Sequence, residues 1–180
     1  MMRLFVVDVA LERDKDDPQL IFESMNSTGL ALSQTDLIRN YVLMRLPVEQ
    51  QTRLYQKYWF PMEQSYGNEY ELLFNSFMRD YLTIKQTEIP RKDGVYEAFK
   101  HFVDTCGQSI EEIVADIFEF SSYYSKMTLH KEADKNLNEA FMRLSQLKVD
   151  VCYPFLLPVY RDYVHQIISS DEFLAIVCRV

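Results

Sequence analysis

Apolar residues recur at helical spacing along most of the chain. Leu37, Tyr41 and Met44 are separated by four and then three positions, so they lie on one face of an α-helix. Similar spacing predicts further helices over the segments 47–59, 70–85, 95–103, 110–124, 137–144, 154–163 and 171–180. The pattern therefore predicts a mainly all-α fold, an array of about seven to eight helices.

The first residues follow a different pattern. Residues 4–11 are apolar and rich in β-branched side chains, which is typical of one short strand leaving a sheet. A single strand is not stable alone, so we expect either that its partner strands are missing or that it pairs with a second copy in a homo-oligomer. The helix that begins at Asp171 is still apolar at Val180. We therefore expect a piece of a larger protein, with an N-terminal strand remnant and a truncated C-terminus.

Helix starts are indicated by capping residues. Ser109 with Glu112 forms the pattern of a capping box, and Ser33 with Asp36 resembles one with Asp in place of Glu. Ser169 or the serine after it is expected to cap the last helix. The few glycines (4) and prolines (6) agree with long helices, since sheet-rich folds need more tight turns.

Charge and cysteine usage restrict the function classes. The net charge is −8 and the pI is about 4.9, and such a surface repels phosphate, so direct DNA binding is disfavoured. Cys106, Cys152 and Cys178 are odd in number and far apart, as expected of thiols in a reducing compartment. The longest apolar run, residues 151–160, is too short to span a bilayer. These features predict a soluble cytoplasmic protein without a membrane partner.

Catalytic motifs are not evident in the sequence. His101, His130 and His165 have no second ligand at helical spacing, and no HExxH, HNH-like, P-loop or GxGxxG pattern occurs. Neighbouring acids such as Glu111 and Glu112 fall at predicted helix starts, where they favour the positive end of the helix dipole. The sequence therefore predicts no catalytic residue and no metal ligand in this chain.

One polar loop allows two interpretations. Asn26, Ser27, Thr28 and Gly29 follow a short helix that Asp17 is expected to cap, and they precede the helix that begins at residue 33. Such a loop can present amides and hydroxyls to an anion. It can equally be a helix–helix corner, with Asn26 as a cap and Gly29 in a left-handed turn. The residues alone leave both interpretations open.

The segment around this loop carries a specific pattern, Phe-Glu-x-x-Asn-x-x-Gly-x-x-Leu-x-x-x-Asp-x-x-x-Asn. Seven positions match in register: Phe22, Glu23, Asn26, Gly29, Leu32, Asp36 and Asn40. Over about residues 4–46 the chain resembles the GmrSD-type modification-dependent restriction endonucleases, at the end of their N-terminal domain, which is similar to the ParB and sulfiredoxin fold. Residues 95–100 and 153–157 resemble the family's helical region more loosely.

The resemblance implies a division of the chain and a role for it. Residues 1–46 would end a ParB-like nucleotide-binding domain, and residues 47–180 would form a helical connecting domain. The full-length family uses an NTP and a divalent metal to cut modified, foreign DNA in phage defence, through an upstream Asp-Gly-Gln-Gln-Arg motif and a downstream HNH-like domain. This chain contains neither motif.

We therefore expect a non-catalytic linker without a cofactor of its own, whose partners are the missing N- and C-terminal domains. The residues of the Asn26 loop would lie near the nucleotide or at a domain interface. Two alternatives remain from the residues: a stand-alone helical interaction or oligomerisation module, and a helical protein with a small-ligand pocket among its Tyr-rich helices.

Overall fold

The computed structural model describes residues 32–148 and 150–180, together with Ile21 and Ser24, which are helical. The chain divides into two compact units, Met1–Leu32 and Ser33–Val180. The strand predicted over residues 4–11, the loop 26–29 and the motif residues Phe22 and Glu23 lie outside the described residues. The predicted boundary between residues 46 and 47 rests on the family resemblance and stays a prediction.

The second unit is α-helical, and no strand occurs among its described residues, which confirms the all-α class. Its helices are α1 Gln34–Met44, α2 Val48–Leu54, α3 Phe60–Tyr66, α4 Tyr70–Gln86, α5 Val95–Thr105, α6 Ile110–Thr128, α7 Lys135–Leu147, α8 Tyr153–Val164 and α9 Ser170–Val177. A π-helical turn, Tyr55–Trp59, joins α2 to α3, and short 3-10 turns precede α4 and α8. With α2 and α3 continuous, this described part forms eight helical segments.

Side chains cap the helices where the sequence predicts caps. Ser109 and Glu112 form a complete capping box at α6, and Ser169 forms another with Glu172 at α9. At α1 the Ser33 hydroxyl accepts from the Asp36 amide at 3.1 Å, and it also donates to the Asp36 carboxylate at 2.8 Å. Only the first half of a capping box is formed there, since Asp is one methylene shorter than Glu.

The π-helical turn between α2 and α3 has a local cause. Pro61 stands in the first turn of α3, and proline has no N–H and clashes with the carbonyl four residues earlier. The chain widens just before it, and the Phe60 N–H bonds to the Tyr55 carbonyl, five residues back. The widened turn stays helical and carries the fully buried Trp59 inward.

The core is built around the aromatic face of α4. Phe74, Phe77 and Tyr81 are fully buried at positions i, i+3 and i+7. Phe74 packs against Trp59 with ring centroids 5.5 Å apart, and Phe77 packs against Tyr124 of α6 at the same distance. Helix α4 contacts α1, α3, α5, α6 and α8, so it is central to the packing of the helical unit.

Buried phenol groups in this core donate hydrogen bonds to carboxylates. The Tyr81 hydroxyl donates to Asp116 at 2.5 Å, and Lys85 pairs with the same carboxylate oxygen at 2.7 Å. Tyr123 donates to Glu119 at 2.7 Å. Burial and then the Asp116 charge raise the pKa of Tyr81 well above its ordinary value. These phenols therefore remain protonated donors at neutral pH.

Asp80 on α4 gives the stability a pH dependence of known sign. Burial raises the pKa of Asp80 from 3.8 to about 7; nearby Arg79 opposes the rise and Asp150 adds to it. Between these values the folded state holds a proton that the unfolded chain has lost. This group therefore contributes stability at low pH that is lost as pH rises through about 7.

We expect Asp80→Asn to remove that loss, because asparagine does not ionise. At about pH 8 the variant should be more stable than the parent by about 1–2 kcal/mol, with a smaller difference at about pH 5. Urea denaturation followed by far-UV circular dichroism measures both values. Asp93→Asn is the matched control, since within the described residues this exposed carboxylate pairs with Arg91 alone. Equal pH profiles for Asp80→Asn and the parent would contradict the assignment.

Candidate functional site

A polar cleft of about 510 Å³ lies between the start of α1, the end of α3 and the start of α4. Hydroxyl, carboxylate, guanidinium and amide groups line it, and among its lining residues are Ser33, Asp36, Arg39, Glu63, Tyr70 and Glu71. Its volume falls within the usual range of small-molecule sites. The polar lining differs from the mainly apolar lining of most such sites, so charge and hydrogen bonds would determine what it binds.

An ion triad forms one wall of the cleft and joins two helices. Arg39 donates to Asp36 at 2.8 Å within α1, and it reaches Glu63 of α3 at 3.1 Å. Tyr55, in the π-helical turn, donates to the second oxygen of Glu63 at 2.8 Å. This hydrogen bond, followed by burial, raises the pKa of Tyr55. Each carboxylate of the triad therefore has both oxygens hydrogen-bonded.

Tyr70 lines the side of the cleft opposite the triad and also contacts the core. The indole N–H of Trp59 donates to the Tyr70 hydroxyl at 2.8 Å. Burial raises the pKa of Tyr70 well above its ordinary value, so the phenol stays neutral. Trp59 is the single tryptophan of the chain, and its indole is one hydrogen bond away from the cleft. Its fluorescence is therefore a natural probe of this site.

The charge balance of the cleft is negative. Asp36, Glu63 and Glu71 contribute three carboxylates, and Arg39 contributes one guanidinium, which leaves two negative charges. Such a field repels phosphate and attracts cations. The Ser33 hydroxyl is engaged as the α1 cap. The arrangement can hold a ligand through charge and hydrogen bonds.

The structure places only part of the predicted motif. Asp36 lies in the cleft and starts α1, Asn40 is one turn farther along the same helix, and Leu32 is the residue before the Ser33 cap. The remaining motif residues and the other predicted loop residues, Ser27 and Thr28, lie outside the described part of the chain. Their predicted closeness to a nucleotide or an interface stays a prediction.

Sequence reasoning did not identify the rest of the cleft. Asp36 and Arg39 stand three positions apart on one helix, a spacing that favours an ion pair and could have predicted their contact. Glu63 is 24 positions from Arg39, and no local pattern indicates that they meet. The Asp36–Arg39 contact of the triad is thus local in sequence, and the Arg39–Glu63 contact depends on the tertiary fold.

The histidines lie apart from one another. His101 is exposed, His130 lies 2.9 Å from the Ser145 hydroxyl, and His165 lies 3.3 Å from Glu119. Within residues 32–148 and 150–180, no three His, Cys, Asp or Glu side chains are grouped as a metal ion would need. In the same part of the chain no helix combines the length and apolarity of a membrane span.

Comparison with protein-family models, with curated proteins and with solved structures finds no match to this chain.

We expect Glu63→Gln to destabilise the protein by about 1–2 kcal/mol, because it weakens the Arg39 and Tyr55 bonds and leaves the partly buried guanidinium with one carboxylate. Glu139→Gln is the control, since Glu139 pairs with Arg143 on an exposed helix face. Breaking that pair should cost less than about 0.5 kcal/mol. Urea denaturation of both variants gives the two values, and equal costs would show that the triad contributes no more than a surface pair.

Proposed function

We propose that this chain is the helical connecting module of a modification-dependent, NTP-dependent restriction endonuclease of the GmrSD type. In this proposal it lies in the cytoplasm between a nucleotide-binding domain and an HNH nuclease domain, and it takes part in defence against phage and other foreign DNA. It would transmit a change in one domain to the other without carrying out chemistry itself.

The observation that carries the proposal is the position of the family-like motif. The motif runs from Phe22 to Asn40, while the division between the two compact units falls after Leu32. Its second half, with Asp36, starts the first helix of the helical unit and is held by Arg39. A motif that continues from one unit into the next is well suited to be the joint between a nucleotide-binding domain and a helical arm.

The triad supports a mechanical role for that joint. Through Arg39 and Glu63, the start of α1 is tied to the end of α3. Through Trp59 and Tyr70 the same corner is joined to α4 and its aromatic core. A displacement at the motif would therefore reach the core through the ion pairs, the helical turn that carries Tyr55 and Trp59, and the ring contacts of Tyr70. The acidic net charge is consistent with leaving DNA contact to other domains.

Phage plating tests the proposal on the gene as it stands in its locus. Cells that carry it should restrict a phage whose DNA bases are modified and spare the same phage without the modification. Asp36→Asn should raise plating of the modified phage to that of cells lacking the gene, because the neutral side chain weakens the joint. Asp171→Asn, in the exposed first turn of α9, should restrict as the parent does.

Two results would overturn the proposal: a parent gene that restricts neither phage, or one that restricts both equally. An immunoblot checks that Asp36→Asn is expressed in soluble form at the parent's level. This control distinguishes loss of the connection between domains from loss of the protein itself.

The purified chain is expected to show no DNA cleavage with Mg²⁺ or Mn²⁺, on modified or unmodified substrates. The physical reason is that the described residues group no set of acids or histidines that could hold the metal. Supercoiled plasmid and modified phage DNA, separated on gels, are the assay. Cleavage that follows the protein through every purification step and is lost in a point variant would contradict this expectation.

One observation favours the alternative of a stand-alone interaction module. Around the turn between α7 and α8, Leu147, Val151 and Phe155 are 69%, 85% and 56% exposed. Large apolar side chains exposed together are typical of an interaction surface. A module that acts by binding alone predicts no restriction of either phage, so the plating experiment separates the two functions.

A further inference from the structure

We propose that the 3-10 turn before α8, Asp150–Cys152, is a pH-sensitive latch. The turn lies closed beside α4 while Asp80 carries a proton, and it opens locally as Asp80 loses that proton. This device does not rest on the connecting role, since it concerns only the junction of α4, α6 and α8. Three features carry it: two neighbouring acids without a counterion, a turn that follows a strained residue, and a buried thiol on that turn.

Asp80 is half-buried where α4 packs against α6 and α8. Burial, and then the charge of Asp80, raises the pKa of Tyr124 on α6. Burial is also the first cause of the raised pKa of Tyr153 at the start of α8, and Asp80 adds to that rise. The two tyrosine rings pack with centroids 5.1 Å apart and are only 3% and 5% exposed. An ionised Asp80 is therefore poorly solvated in this junction.

Asp150 is the second acid of the junction. Burial first raises the pKa of Asp80 and Asp150 adds to the rise, while Arg79 opposes it. The Arg79 side chain is engaged elsewhere, since its Nε donates to the Pro90 carbonyl at 2.7 Å. Within the described residues the Asp80 carboxylate forms no hydrogen bond and no ion pair. When Asp80 ionises, its charge and that of Asp150 therefore repel each other.

The turn is the element around Asp80 that can move most easily. Helices α4 and α6 are 17 and 19 residues long and hold the aromatic core. The turn has three residues, and Val151 at its centre is 85% exposed. Among the described residues no side chain caps the start of α8, where Pro154 offers no N–H. Displacement of the turn thus breaks fewer contacts than displacement of either helix.

Lys148 gives the turn a hinge. This residue ends α7 with a left-handed backbone, at a φ of +54°, a conformation that side chains other than glycine disfavour. Rotation at Lys148 relieves this strain and carries the turn away from Asp80. The closed form binds the Asp80 proton more tightly than the solvated carboxyl does. Opening therefore becomes easier as pH rises from 3.8 towards about 7, and levels off above that.

Cys152 reports the state of the latch. The residue is 6% exposed, and burial, with a contribution from Asp150 and Asp80, raises the pKa of its thiol to about 11. In the closed turn the thiol is thus inaccessible and protonated, so it is unreactive. Opening brings Cys152 into water and moves Val151, which with Phe155 belongs to the exposed apolar surface around the turn. The latch therefore changes this surface near neutral pH.

Thiol labelling of the full chain tests the proposal. Dithiodipyridine reacts with thiols in acid and in neutral solution, and mass spectrometry of peptic fragments distinguishes Cys152 from the exposed Cys178. Parent and Asp80→Asn are compared at the same pH, which cancels the pH dependence of the reagent. From about pH 5 to about pH 8, the ratio of the parent's Cys152 rate to that of Asp80→Asn should rise about five- to thirtyfold. The same ratio for Cys178 should stay constant.

Dilute urea separates local opening from global unfolding. Local opening exposes little surface, so the Cys152 rate of the parent at about pH 8 should barely change in about 1 M urea. Labelling through global unfolding would rise fivefold or more under the same conditions.

A matched pair of variants tests the repulsion. Asp150→Asn removes the second charge and should slow Cys152 labelling at about pH 8 about two- to fivefold. Asp93→Asn, at an exposed carboxylate paired with Arg91, should leave the rate unchanged.

Three results would overturn the proposal. The first is a ratio of parent to Asp80→Asn rates that does not change with pH. The second is Cys152 labelling that increases with dilute urea as steeply as global unfolding does. The third is an equal effect of Asp150→Asn and Asp93→Asn.

Discussion

The aromatic face of α4 is the constraint on which the helical unit depends. Phe74, Phe77 and Tyr81 are each fully buried, the first against the π-helical turn and the other two against α6. Trp59 covers Phe74, Tyr124 covers Phe77, and Phe120 covers Tyr81. Because each aromatic side chain buries a large apolar area, this single face determines how the π-helical turn with Trp59 and helix α6 pack against α4.

Burying tyrosine rather than phenylalanine imposes a second requirement, a partner for each hydroxyl. Tyr81 meets it with Asp116, and Tyr160 meets it with Glu132. Part of the acidic excess of the chain is therefore structural: some carboxylates accept phenol hydrogen bonds at the edge of the core. Removing such a phenol or carboxylate would leave a partly buried polar group unpaired, and the desolvation of that group would then destabilise the fold without compensation.

The cleft follows from the same packing through a sequence of local events. Pro61 widens the helix before it, the widened turn carries Trp59 into the core, and Trp59 then binds the Tyr70 hydroxyl. The same turn presents Tyr55 to Glu63, which Arg39 reaches from α1. A single backbone irregularity thus places both walls of a polar cleft beside the point where the helical unit begins.

The sequence by itself determined the features that depend on neighbours along the chain. The 3.6-residue periodicity indicated the helices, and Ser109 with Glu112 and Ser169 indicated caps. These expectations are confirmed for the helices from residue 34 onward. The π-helical turn was not predicted, although Pro61 is its visible cause. The apolar positions continue through this turn, so the periodicity of the sequence does not distinguish it from an ordinary α-helical turn.

Only the tertiary structure decided which elements meet. Arg39 and Glu63, and likewise Phe77 and Tyr124, come together through packing of distant helices, and no spacing in the sequence encodes that choice. The sequence likewise predicts that Asp80 lies on a helix, but only the tertiary structure shows that it is buried. Local patterns act over one or two turns of helix, whereas the cleft and the shifted carboxyl depend on which faces cover one another.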